Sequence, residues 1–144
     1  MKINIRTATP EDYPAIASLI KNELGYPLVD EPKLYARLDA MRLSDSHVTA
    51  VAVLEDRVIG FVGFFKGMAY NYDDDYIQIL AIATLSDLQN KGVGSQLLRW
   101  VEDYALDNNA HIIKLTSRLK RTEAHLFYES NGFTRISYGF SKEV

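Results

Sequence analysis

No cysteine occurs among the 144 residues. Its absence excludes a thiol nucleophile, a zinc site built on thiolates and a disulfide framework, and it fits a reducing cytoplasm. Histidine is scarce. The three, His47, His111 and His125, stand on separate expected elements without His-x-x-x-His or His-Glu-x-x-His spacing, so no metal site is expected. No stretch approaches the roughly 20 apolar residues that cross a bilayer, and the opening MKINIRTATPEDY lacks the apolar segment of a secretory signal. Long basic runs are missing too. With 16 basic against 19 acidic side chains the formal net charge is −3, so the electrostatic footprint of a nucleic-acid binder is not there. Neither repeats nor low-complexity segments interrupt the chain. These absences point to a soluble, cytoplasmic protein with one domain over residues 1–144, and the 47% of hydrophobic residues suffices for a single core.

What is present alternates between strand and helix patterns. Residues 3–6 suit a short first strand. Thr9, Pro10, Glu11 and Asp12 then read as a helix start, with a capping threonine, proline in the first turn and acids at the positive helix end. Tyr13, Ile16, Ile20 and Leu24 recur at helical spacing until Gly25 and Pro27 end the run. A second helix from about Pro32 carries Leu34, Leu38 and Met41. Residues 47–54 and 57–65 are β-rich and joined by Glu55-Asp56, which predicts an antiparallel hairpin. Residues 76–84 (YIQILAIAT) form a nearly continuous apolar strand, as expected where a sheet is covered on both faces. A helix over 92–108, a strand over 111–116, a helix over 122–130 and a last strand over 133–140 complete the pattern. The order β-α-α-β-β-β-α-β-α-β predicts an α/β or α+β fold with a central mixed sheet.

The stretch Gln89-Asn90-Lys91-Gly92-Val93-Gly94-Ser95 joins the apolar strand to an amphipathic helix. Two glycines let the backbone turn tightly and approach a ligand without an intervening Cβ. Unpaired N–H groups and the positive dipole end of the next helix make such a turn a site for a pyrophosphate. The residues alone also admit a plain strand-to-helix turn. Other phosphate motifs do not fit: a Walker A loop needs lysine after its last glycine, where Ser95 stands, and a dinucleotide fingerprint needs a third glycine where Leu97 stands.

At this point the sequence resembles the GNAT acetyltransferase superfamily. Gln89-x-x-Gly92-x-Gly94 matches that family's acyl-CoA signature, and Ile82-Ala83-Thr84 stands where the family usually has Leu-Ala-Val. Downstream, Ala124 to Phe133 (AHLFYESNGF) is similar to the family's A-x-x-F-Y-x-x-x-G-F block, in the family's order and separation. The resemblance implies a mostly antiparallel mixed sheet flanked by about four helices, with a splay between the fourth and fifth strands. It implies acetyl-CoA as co-substrate, its pyrophosphate held by the amides of Asn90 to Ser95, with Gln89 and Arg121 among the cofactor contacts. The pantetheine arm would pair like an extra strand with Ile82, Ala83 and Thr84. Many members carry asparagine where Arg121 stands, and Ser86 replaces a frequent proline.

Acetyl transfer from a thioester needs a neutral amine, an oxyanion stabiliser and a proton donor for the departing thiolate. By resemblance Tyr128 is the donor; packing beside Phe127 in the core is the other reading of the same residue. A backbone N–H near Ile82 would polarise the carbonyl. Histone-type members place a glutamate where this chain has Gln78, so the base is left open between water, Asp75 and Glu23. The loop Tyr70-Asn71-Tyr72-Asp73-Asp74-Asp75-Tyr76 reads either as a solvated turn or as a cation-attracting wall, completed by Glu23, Tyr26 and Asp30. The second reading favours a polyamine, aminoglycoside or lysine-like acceptor. His125 is expected to pack or face solvent. A non-catalytic acyl-CoA-binding module would share the same glycines, and the aromatic Phe133, Tyr138 and Phe140 suit a homodimer contact.

Overall fold

The computed structural model describes residues 2–144. Its contacts group the chain into a larger part that ends at Lys114 and a smaller part, Leu115–Val144. In the larger part the elements run β1 (Asn4–Thr7), α1 (Tyr13–Asn22), α2 (Glu31–Arg42), β2 (His47–Leu54), β3 (Arg57–Gly67), β4 (Tyr76–Thr84), α3 (Val93–Asp107) and β5 (Ile113–Lys114). The strands lie in sequence order, with β1 to β4 antiparallel and β5 parallel to β4. The smaller part carries α4 (Thr122–Ser130).

Local chemistry explains the main boundaries. The β2–β3 hairpin closes on Glu55 and Asp56, with φ of 51° and 63°, the double left-handed turn whose twist matches that of paired strands. A 3-10 turn at Pro10–Asp12 precedes α1. There the Asp12 carboxylate accepts the Thr9 N–H at 2.8 Å and two hydrogen bonds from Arg6 at 2.7 and 3.0 Å. Asp30 caps α2 by accepting the Lys33 N–H at 3.0 Å, and Gly25 takes a φ of +80° beyond the end of α1.

One sheet face packs on α1 and α2 through Ile16, Leu19, Leu38, Val51, Phe61 and Ala83. On the other, Phe64 meets the rings of Trp100 and Tyr104 in α3 at 6.2 and 5.1 Å between centroids. Val93, Leu97, Leu98, Val101 and Ala105 form the buried stripe of α3. Among the described residues no helix is long and apolar enough to cross a membrane.

Two expectations are corrected. The strand foreseen over 111–116 is only Ile113–Lys114. Residues 133–140, foreseen as a last strand, belong to neither helix nor strand, and Ile136, Tyr138 and Phe140 stand exposed. An apolar alternating sequence becomes a strand only when a neighbour accepts its backbone hydrogen bonds, and no such pairing forms there.

Candidate active site

The site begins with an irregularity in β4. Gly63 of β3 faces Ala81 and Phe64 faces Ile79, so Leu80 is the extra residue of a β-bulge. Beyond it the parity of the strand changes: Ile77 and Ile79 share one face, and Ile82 and Thr84 continue that face. The apolar run of 76–84 hides this shift, because both faces of the strand are apolar. On its other side β4 pairs with β5 only at Ile77–Ile113 and Gln78–Lys114. From Ile79 to Thr84 that edge has no sheet partner among the described residues, and its N–H and C=O groups are available to a ligand that lies as a strand. The parting matches the splay expected between the fourth and fifth strands.

Past β4, the Leu85 N–H donates to Ile59 O at 2.9 Å, and a short 3-10 turn at Ser86–Leu88 follows. Asn90 (φ 64°) and Gly92 (φ 85°) then turn left-handed. A Cβ on Gly92 would meet no atom within 4 Å, so backbone conformation, not crowding, requires glycine there. The first helical bond of α3 runs from Gln96 N–H to Gly92 O at 3.1 Å. The N–H groups of Val93, Gly94 and Ser95 therefore precede the helical ladder at its positive end. Val93 is buried and anchors the turn, whereas Gln89, Asn90, Lys91 and Gly92 are exposed. These are the features a pyrophosphate needs.

Gly60 brings α3 close to the sheet. A Cβ there would lie 2.9 Å from Ala83 O, 3.3 Å from Leu97 Cδ1 and 3.4 Å from Val93 Cγ1. A second support went unforeseen in the sequence. Glu23 Oε2, just after α1, accepts the Ser86 N–H at 2.9 Å across 63 residues. Only the folded chain brings these two positions together, and no local pattern announces the contact.

The expected acceptor wall is only partly a surface of free charge. Asp75 lies 3.8 Å from Lys66 Nζ, and Asp74 3.8 Å from His111 Nε2. Lys114 Nζ sits 5.9 Å from the ring centroids of both Tyr72 and Tyr76. Asp73 and Tyr26 are exposed, Asp30 is occupied as the cap of α2, and Gln78 stands in the last β4–β5 pair.

Within the smaller part, Tyr128 is buried on α4 between Phe127 and Phe133, at ring distances of 5.5 and 6.0 Å. Burial pushes its phenol above the ordinary tyrosine value, opposed by the positive charge of Arg121 at the helix start. The phenol is thus protonated at neutral pH and able to donate. His125 Nε2 lies 2.9 Å from Arg118 O, a local contact beside the helix start.

The model of the Acetyltransferase (GNAT) family matches residues 13–133, from the first helix to the end of the Tyr128 block. The chain belongs to the GNAT acetyltransferase family. Aminoalkylphosphonate N-acetyltransferase of Salmonella typhimurium is 29% identical, with 97% of this chain and 90% of that protein covered. Among solved structures, a GNAT family acetyltransferase of Staphylococcus aureus is 28% identical with a TM-score of 0.82, and both chains are covered in full. A protein of Bacillus halodurans described as a transcriptional regulator is 25% identical with a TM-score of 0.91, over 99% of this chain and 100% of that one. As a GNAT acetyltransferase the chain is an enzyme of acyl transfer.

Proposed function

We propose that this GNAT acetyltransferase moves an acetyl group from acetyl-CoA to a primary amine of a small molecule or peptide by direct transfer in a ternary complex. The observation that carries the reading is the succession, along one stretch of chain, of an open β4 edge and the unpaired first turn of α3 behind Gly92. In this reading the N–H groups of Val93 to Ser95 hold the pyrophosphate. Ile82 to Thr84 pair with the pantetheine arm, and a backbone N–H near Ile82 polarises the thioester carbonyl.

The amine nitrogen attacks the carbonyl carbon, the C–N bond forms, and the C–S electron pair leaves on sulfur. Tyr128 donates its phenolic proton to that sulfur, and the proton released by the amine passes to water. A phenol raised by burial is suited to this only if the thiolate is equally poorly solvated, since apolar surroundings raise both acids together. Gln78 cannot take a proton, so the amine enters neutral, and much of the acceleration comes from holding both reactants in place.

Calorimetric titration with acetyl-CoA tests the first half of this reading. Binding in the micromolar range supports it, and no binding at millimolar cofactor refutes it. An amine panel of aminoalkylphosphonates, polyamines, aminoglycosides and a lysine peptide tests the second, with release of free CoA thiol as the readout.

A further inference from the structure

Gly63 sits in the middle of β3, opposite Thr49 and Ala81, without the positive φ that would demand glycine. A Cβ built on it meets no atom within 4 Å. The β4 bulge lies directly against Gly63, which accounts for a glycine in this strand, and the bare backbone also leaves room for a ligand to approach it closely. The open space is a cavity of about 110 Å³ between the sheet and α2, bounded by Ile20, Leu38, Met41, Gly63 and Ala81 and bordered by Arg37. The bulged residue Leu80, within the stretch of β4 beyond its last pairing with β5, also lines it. Arg37 is exposed and pairs with no carboxylate among the described residues. His47 and Thr49 also line it, yet its surface is almost wholly apolar, and the Arg37 cation at the border is uncommitted.

We infer that this cavity is the acceptor subsite and that its occupant is a small primary amine on a short carbon chain with an anionic group at the far end. The inference rests on the acetyl-transfer reading above and names its substrate class. The chain of the acceptor lies on Gly63 and Ala81 against Ile20 and Met41. Its amine points to the open edge of β4, and its carboxylate or phosphonate meets the Arg37 guanidinium, a group whose planar fork suits both oxyanions. Gly63 keeps the space open; Arg37 selects the charge.

Two variants of the full chain test this, assayed with 2-aminoethylphosphonate and, for comparison, propylamine and spermidine. Gly63→Val fills the cavity without a steric conflict at Cβ. It should raise KM for 2-aminoethylphosphonate by tenfold or more while calorimetric affinity for acetyl-CoA stays as in the wild type. Arg37→Gln, on the surface, should raise KM for 2-aminoethylphosphonate about tenfold and leave propylamine unchanged, with partial recovery in Arg37→Lys. Equal losses for both amines in Arg37→Gln, or a wild-type KM in Gly63→Val, would overturn the proposal. So would a wild type that prefers spermidine to the anionic amine. A wild type that binds acetyl-CoA but acetylates none of the three overturns this substrate class alone, whereas failure to bind acetyl-CoA overturns the underlying reading as well.

Discussion

At the β1 side of the sheet Arg6 and Asp12 close on each other with two hydrogen bonds, and Asp12 is only 5% exposed. At the opposite side β4 runs from Ile79 to Thr84 beyond its last pairing with β5. The first region satisfies its own polar groups and needs nothing further, because a buried charge left alone is costly. The second leaves backbone groups whose partner is water or a bound molecule. Polar groups completed within the chain hold the fold, and those left incomplete beside a fixed turn are where a ligand is proposed to act. Substitutions on the two sides should therefore separate stability from function.

The largest effect is expected at the open side. Gly94→Glu puts a carboxylate into the first turn of α3, where the pyrophosphate is proposed to sit, and calorimetry should show acetyl-CoA affinity reduced by about 100-fold or more, with the circular dichroism unchanged. Retained affinity would break the comparison at its functional end. Next, Tyr128→Phe should lower kcat by roughly 100-fold with little change in the dissociation constant of acetyl-CoA. An unaltered kcat would leave Tyr128 as a packing residue between Phe127 and Phe133.

At the closed side, Asp12→Ala should destabilise the fold by about 2 kcal/mol, the scale of hydrogen bonds to a charged group. That is roughly 4–8 °C in Tm for a chain of this size, with acetyl-CoA affinity intact. The hydrogen bonds from Arg6, more than those from Thr9, hold the Asp12 carboxyl below the ordinary carboxylate range, against the effect of burial. Its contribution is therefore complete above the unfolded value near 4 and is lost as the pH falls through the lower folded value. Thermal melts of wild type and Asp12→Ala should converge as the buffer is taken from pH 7 toward pH 3. A gap that persists in acid would mean that the ion pair is not its source.

The smallest effect belongs to the link between the regions of α1 and the donor turn. Glu23→Ala frees the Ser86 N–H and should raise KM for acetyl-CoA about fivefold, whereas Glu23→Gln, which keeps an acceptor oxygen, should not. If both variants instead raise KM for the amine alone, Glu23 touches the acceptor and does not support the turn.

The sequence made β2, β4 and α4 legible to the residue, because alternating or apolar runs bounded by turn formers carry their own limits. The glycine turn before α3 was legible for the same reason. What escaped was non-local. YIQILAIAT is apolar on both faces, so nothing in it reveals that Leu80 interrupts the pairing. The hydrogen bond from the Ser86 N–H to Glu23 spans 63 residues, and no local pattern announces it. Residues 133–140 alternate as a strand does, yet alternation supplies a face and not a neighbour.

Gly60 has a consequence of another kind. With Ala83 O, Leu97 and Val93 all within 3.4 Å of where its Cβ would stand, this position acts as a spacer gauge between sheet and helix. One methyl group would tip the front of α3 away from the end of β4, and a phosphate grip would lose its alignment with the strand beside it through a residue that touches no substrate.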